Sequence, residues 1–82
     1  MARRPSRLRL AREALGKTVR VYRAKQNISQ TAFGLKAGTT QATVSAIELG
    51  EANPRLTTLA GLAEVLEIEV SDLFVDPDGE KR

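Results

Sequence analysis

The sequence contains no cysteine and no histidine. Without cysteine, neither a disulfide framework nor a thiolate metal site can form. Without histidine, the chain lacks the commonest metal ligand and the commonest general base near neutral pH. Its acidic, lysine, serine and tyrosine residues do not group in a recognisable catalytic site. We therefore expect a protein that is not an enzyme and that uses no metal or cofactor.

Long apolar runs are also missing. No run approaches the roughly 20 residues that span a bilayer, and the basic start of the chain lacks the apolar stretch of a secretion signal. We therefore expect a cytoplasmic protein without a membrane segment. A chain of 82 residues forms one domain with a modest core, so self-association is an expected source of stability.

Charge is distributed unevenly along the chain. Residues 1–26 hold nine Lys or Arg and one acidic residue, a balance of +8, whereas residues 27–82 hold four basic and nine acidic residues, a balance of −5. This asymmetry suggests that the first part of the chain meets a polyanion. A solvated basic tail is the alternative.

Apolar spacing predicts an all-α protein. Strand-like alternation is scarce, and apolar residues recur three and four positions apart. Leu15, Val19 and Tyr22 share one face of a first helix over residues 15–26. Residues 1–14 are either a basic N-terminal arm or an extension of this helix.

Local signals mark the ends of the following helices. Asn27 tolerates the left-handed conformation that ends a helix, and Ser29 offers an N-cap hydroxyl. Gly38 stops the second helix, since a positive φ costs little without a Cβ. Thr40 caps the third. These signals predict helices over residues 30–37 and 41–49.

The rest of the chain predicts a fourth helix and a short turn. Asn53-Pro54 is a turn, because proline disfavours helical geometry in the residue before it. A helix follows from about residue 56 or 57 to 66. Ser71 caps a last turn over residues 72–74. Residues 76–82 have nothing to bury and are expected to form a frayed polar tail.

The spacing within residues 30–49 is the most specific signal. Gly34 has no side chain at the point where two helices must cross closely, and Gly38 makes the turn. Val44 and Ile47 anchor the next helix to the same core. This pattern is typical of a helix-turn-helix, whose second helix keeps its outer face free to enter a DNA major groove.

The chain resembles the Xre/Cro/cI-like helix-turn-helix domains over residues 15–75. The turn Gly38-Thr-Thr-Gln41 is similar to that of lambdoid phage repressors, and the closing Ser71-Asp-Leu-Phe74 fits the same family. The resemblance implies a five-helix, lambda-repressor-like bundle that binds double-stranded DNA. The stretches that carry it are residues 15–30, 37–50, 53–54 and 66–74.

The resemblance also implies roles for individual residues. Glutamine can pair bidentately with adenine, and an alanine methyl can touch a thymine methyl. The residues implied in base readout are Gln41, Ala42, Thr43 and Ala46. Those implied in contacts to the DNA backbone are Gln30, Thr40, Ser45 and Arg55. Each residue also has a simpler interpretation. Gln41 and Arg55 could be solvated surface residues, and Thr40 could be a helix cap alone. Ala42 and Ala46 could merely favour helix formation.

Three further features follow from the family pattern. Arg23 and Glu48 match a partly buried ion pair, which we interpret as structural. Leu49 stands where relatives usually carry a polar or basic residue, and Glu67 stands where they often have glycine.

The predicted recognition helix has no Lys or Arg, so phosphate contacts must come from elsewhere. The candidates are Arg3, Arg4 and Arg7, with Arg9 and Arg12.

The leading interpretation is a transcriptional regulator, a repressor or a controller-type autoregulator, that binds a pseudo-palindromic operator as a homodimer. Leu73, Phe74 and Val75 are the candidate dimer contact, although they could simply cap the bundle. An antitoxin-like or other protein-interaction module is the second interpretation, since a fold does not fix a function. The exposed position expected for Leu49 favours it, and the basic N-terminus opposes it.

Overall fold

The computed structural model describes residues 6–77, and every regular element in that range is helical. The all-α prediction is therefore confirmed. The count of five helices is corrected to four, because the last element closes with hydrogen bonds between residues three apart and forms a short 3-10 helix. The elements are α1 (Arg7–Gln26), α2 (Gln30–Ala37), α3 (Gln41–Glu48), α4 (Leu56–Leu66) and the 3-10 helix (Val70–Phe74).

Short polar side chains begin the first three helices. The Ser6 hydroxyl accepts a hydrogen bond from the Arg9 backbone N–H at 3.0 Å, so α1 starts at Arg7 and residues 7–14 are helical. Ser29 caps α2 and Thr40 caps α3 in the same way. Each cap satisfies a backbone donor that would otherwise lack a partner.

The helix ends follow two patterns. Asn27 and Gly38 adopt the left-handed conformation with φ of 57° and 78°, as their residue types favour. Glu67 ends α4 with φ of 59°, although it has a Cβ that makes this conformation costly. The 3-10 helix is capped by Glu69 and Asp72 rather than by Ser71, whose predicted role is corrected here.

The core lies between all five elements. Val44 and Ile47 bury the inner face of α3 against Phe33 of α2 and Val19 of α1. Fully buried leucines from α4 and the 3-10 helix complete the cluster. The result is a short α3 that is fixed on one side and open on the other.

Two glycines allow the helices to approach closely. A Cβ on Gly16 would lie 2.6 Å from the Ile47 carbonyl oxygen, and a Cβ on Gly61 would collide with the Ala37 carbonyl oxygen. The backbone of α3 therefore lies directly against α1, and that of α2 against α4. Within residues 6–77, no helix is both long and apolar enough to cross a bilayer.

Candidate nucleic-acid interface

The α2–α3 turn presents one face of α3 to solvent. A Cβ on Gly34 would lie 2.9 Å from the Thr40 carbonyl oxygen, so only glycine permits the two helices to cross this closely. Val44 and Ile47 are buried, whereas Gln41 and Ala42 are exposed. The helix is thus anchored by its inner side chains, and its first turn protrudes from the bundle.

An open cleft of about 500 Å³ borders α3 on one side. Ala42, Thr43 and Ala46 line it from the helix, and residues 52–55 line it from the loop that leads to α4. We call this feature the recognition cleft. Its helical wall carries only methyl and hydroxyl groups, and Arg55 adds a positive charge on the opposite wall. The structure thus brings Arg55 together with three of the predicted base-reading residues.

Gln41 belongs to a hydrogen-bonded chain on the other side of α3. Its side-chain N–H group donates to the side-chain amide oxygen (Oε1) of Gln30 at 2.7 Å. The Gln30 amide nitrogen in turn donates to a Glu48 carboxylate oxygen at 2.9 Å. A carboxylate only accepts, so Gln30 must turn its nitrogen to Glu48 and its oxygen to Gln41. This polar chain fixes which end of the Gln41 amide points inward.

Arg23 anchors the polar chain from α1. Its guanidinium donates to both Glu48 carboxylate oxygens, at 2.6 and 3.0 Å, and also to the Ile28 backbone carbonyl. Planar two-bond pairing of this kind is geometrically specific. The predicted partners therefore lie together, and their pairing joins α1 to the end of α3.

The ion pair determines the protonation of both partners. Burial by itself raises the pKa of Glu48, but hydrogen bonds from Arg23 and Gln30, with the charges of Arg23 and Arg20, outweigh it and lower that pKa. The hydrogen bond to Glu48 raises the pKa of Arg23. Both groups thus stay charged at neutral pH.

The remaining residues assigned to the DNA backbone lie in different settings. The Thr40 hydroxyl makes two hydrogen bonds within the chain: it accepts one from the Thr43 N–H and donates one to the Thr43 hydroxyl. Gln30 engages both ends of its amide in the polar chain. Ser45 is half-buried one turn after Gln41. Phosphate contacts at Gln30 and Thr40 would therefore use the main chain or displace these bonds.

Three further arginines of α1 make bonds within the chain, and two of these bonds connect α1 to other segments. Arg12 donates to the Ala52 carbonyl oxygen at 3.1 Å, and Arg20 donates to the Glu48 carbonyl oxygen at 2.9 Å. Arg9 pairs with Glu13 on the surface of the same helix. The sequence showed these arginines only as a basic cluster, because their acceptors are mostly backbone carbonyls 28 to 40 residues away.

Arg7 is the exposed first residue of α1. Arg3 and Arg4 lie outside the described residues. The structure therefore places one of the three arginines assigned to phosphate contacts, and it places that residue on the surface.

The predicted dimer contact divides into two parts. Leu73 is fully buried inside the chain, so it has no surface to offer a second copy, and its assignment is corrected. Phe74 and Val75 are 38% and 58% exposed. The 3-10 helix turns Leu73 inward, whereas its last residue, Phe74, and the following Val75 are exposed. Leu49, at the end of α3, is also exposed at 67%.

Comparison with known proteins identifies the family. A family model described as helix-turn-helix matches residues 19–73. An HTH-type transcriptional regulator of Methanocaldococcus jannaschii is 31% identical over 62 residues, which cover 76% of this chain and 94% of that protein. One of Archaeoglobus fulgidus is 32% identical over 62 residues, covering 76% of this chain and 89% of that protein.

Two solved structures share the fold at 24% sequence identity. A hypothetical transcription factor from Neisseria aligns with a TM-score of 0.77 over 95% of this chain and 88% of its own. The clp gene regulator ClgR from C. glutamicum aligns with a TM-score of 0.72 over 93% of this chain and 94% of its own. Together with the family match, these findings confirm the interpretation drawn from the turn and core spacing. The chain belongs to the Xre/Cro/cI-like helix-turn-helix family.

Proposed function

We propose that the chain is a sequence-specific DNA-binding transcriptional regulator, a repressor or autoregulator, that binds a pseudo-palindromic operator as a homodimer. α3 enters the major groove and reads base edges. The observation that carries the proposal is the exposed edge of α3, which has an oriented Gln41 on one side and the recognition cleft on the other.

Gln41 is suited to reading adenine. A glutamine amide has two N–H donors and one carbonyl acceptor. Gln30 takes one N–H, so the other N–H and the carbonyl can pair with the acceptor and donor on the major-groove edge of adenine. Because Gln30 itself is held by Glu48, the amide is oriented before DNA arrives, which reduces the entropy lost on binding.

The recognition cleft is suited to thymine. Ala42, Ala46 and the Thr43 methyl form a wall of small apolar groups, and the thymine methyl lies in the major groove. The helical wall of the cleft has no charge of its own. We therefore expect it to supply shape and apolar contact, with the preference for A·T pairs coming from both sides of α3.

Phosphate contacts supply affinity from around the reading surface. Arg55 borders the recognition cleft, and Arg7 is exposed at the start of α1. The N-terminus of α2 adds the Gln30 main-chain N–H, since helix N-termini favour anions. The further backbone contacts proposed from the sequence are Thr40, Ser45, Arg3 and Arg4.

A selection from a random duplex library tests the proposal. We expect enriched sites to contain two inverted half-sites about one helical turn apart, and affinity to fall steeply as salt rises. Indifference to every duplex at low salt, with salt-independent capture of a protein partner, would instead support the antitoxin-like alternative.

A further inference from the structure

The segment between α3 and α4 forms one wall of the recognition cleft. It runs from Glu51 to Arg55 without regular secondary structure, and we call it the cleft loop. At its start, the Glu51 N–H donates to the Ala46 carbonyl oxygen, and at its end the Arg55 carbonyl oxygen accepts from the Leu59 N–H of α4. The two ends of the cleft loop are therefore fixed by the helices that it joins.

The middle of the cleft loop has less support. Within residues 6–77, the backbone groups of residues 52–54 make no hydrogen bond to other backbone groups. These three residues line two separate hollows, the recognition cleft and a groove of about 210 Å³ that Leu8 and Phe74 border. Ala52 contributes only a methyl group to packing against the core. The position of this part of the loop therefore depends on bonds from other elements.

Arg12 of α1 supplies such a bond. Its Nε–H donates to the Ala52 carbonyl oxygen at 3.1 Å. A hydrogen bond from a charged donor is roughly twice as strong as one between neutral groups. Arg12 is half-buried and lies in the second turn of α1, where the helix restricts its movement. The arginine thus ties the middle of the cleft loop to a rigid helix.

We propose that Arg12 is a positioning residue for DNA binding, which holds the cleft loop so that Arg55 reaches a phosphate. The proposal rests on the proposed function, in which Arg55 contacts the DNA backbone. Proline fixes its own φ and restricts the residue before it, so Pro54 and Asn53 form a stiff connection between Ala52 and Arg55. A displacement of the Ala52 carbonyl is therefore passed on to the exposed Arg55.

This bond extends the reading surface beyond the matched helix-turn-helix. The family model matches residues 19–73, which include the cleft loop but not Arg12. The first turns of α1 therefore support the matched region from outside it. In this interpretation, Arg12 promotes DNA binding through the structure of the protein rather than through its own charge.

Two substitutions of Arg12 separate positioning from a direct phosphate contact. Arg12→Lys keeps the positive charge but has a methylene group in place of the Nε–H, whereas Arg12→Gln also removes the charge. Lysine binds phosphate as a point charge, so a direct contact would largely survive in Arg12→Lys. We expect instead that both variants weaken operator binding alike, by about three- to fivefold, the size of one exposed ionic contact. Circular dichroism checks the fold.

A double-substitution cycle with Arg55 tests whether Arg12 acts through that residue. Arg55→Gln alone should lower the slope of log affinity against log salt by about 0.9. Adding Arg12→Gln should lower it further by less than about a third of that value, whereas two independent phosphate contacts would give a total of about 1.8. Lys17→Gln removes the same charge from α1 at a residue that pairs with Asp76, and this control should leave the slope unchanged.

Backbone ¹⁵N relaxation of the free protein tests the loop without DNA. Order parameters at Ala52 and Asn53 should be near those of rigid backbone, about 0.85, in the wild type. They should fall in Arg12→Lys and Arg12→Gln, with the helices unchanged. If Arg12→Gln unfolds, Arg12→Lys carries both this measurement and the cycle with Arg55.

Three results would overturn the proposal: additive losses of salt slope, full operator affinity in Arg12→Lys, or order parameters of the cleft loop that do not respond to Arg12. Salt-dependent operator binding by the wild-type chain separates these failures from a failure of the proposed function. If that binding persists while the losses at Arg12 and Arg55 add, DNA recognition stands without a positioning role for Arg12. A wild-type chain that binds no duplex at low salt would overturn both.

Discussion

The two sides of α3 are built by different means. On one side, the polar chain ties Gln41 through Gln30 to Glu48 and Arg23, and each amide orientation is dictated by its neighbour. On the other side, the recognition cleft is lined by small side chains and is open to solvent. We infer that the polar chain positions the base-contacting groups of α3, whereas the recognition cleft leaves room for the base pairs.

Removing Glu48 should give the largest effect. Glu48→Ala leaves the Arg23 guanidinium without its carboxylate in a partly buried site, which we expect to cost about 3 kcal/mol of unfolding free energy. Chemical denaturation measures this. Glu51→Ala, an exposed acid three residues later, should change stability by less than about 0.5 kcal/mol. Equal effects of the two variants would mean that the polar chain does not hold α3.

Removing the Gln41 amide should affect reading but not folding. Gln41→Ala deletes an exposed side chain, so stability should change by less than about 0.5 kcal/mol. Affinity for the selected operator should fall by about 1–3 kcal/mol, and discrimination should relax at one base pair. Fluorescence anisotropy with single-base operator variants measures both quantities. Gln26→Ala, at the exposed end of α1, is the matched control, and an equal loss there would refute the assignment.

Low pH should destabilise the polar chain, because that chain depends on the ionised Glu48 carboxylate. The pKa of Glu48 is lowered in the fold, so its stabilising effect is complete above the ordinary glutamate pKa of about 4.3 and is lost as pH falls through the lowered value. Glu48→Gln should therefore show a shallower decline in unfolding free energy between about pH 5 and pH 3 than wild type. Denaturant titrations at several pH values measure the slope, and an unchanged slope contradicts the role of this carboxylate.

Neutralising Arg55 should give the smallest change in DNA affinity, because it removes a single phosphate contact beside the recognition cleft. Arg55→Gln removes one positive charge from the recognition cleft. The slope of log affinity against log salt should decrease by about 0.9, with affinity reduced uniformly across operator sequences. Lys17→Gln makes the same charge change at a residue that pairs with Asp76 instead. A salt slope that responds equally to both variants would mean that Arg55 makes no direct phosphate contact.

Local signals in the sequence predicted most of the helix ends. Ser29, Gly38 and Thr40 act through hydrogen bonds or backbone angles within three residues of themselves, so their roles follow from residue type and spacing. The family pattern likewise placed Arg23 opposite Glu48. The family pattern also singled out Glu67, which stands where relatives often have glycine, the residue that its left-handed conformation favours.

The features that the sequence did not reveal involve residues whose partners are distant along the chain. Leu73 was expected on the surface as part of a dimer contact, because it lies in a short apolar segment near the end of the chain. Packing against the core cluster buries it completely. Arg12 is one of the candidate phosphate-binding arginines, and the sequence could not show that its Nε–H bonds to the carbonyl of a residue 40 positions away. Gly16 and Gly61 gave no local signal, because the backbone that requires them belongs to other helices.

The order of the residues alone determined the helical class, the caps at Ser29 and Thr40, the turn at Gly38 and the buried side of α3, because each depends on interactions within a few positions along the chain. Tertiary structure alone decided that Gln30 orients Gln41, that Arg12 secures the loop behind the recognition cleft, and that Leu8 and Phe74 border one groove. These relations join separate elements of the chain, and only the packing of the core brings their residues together.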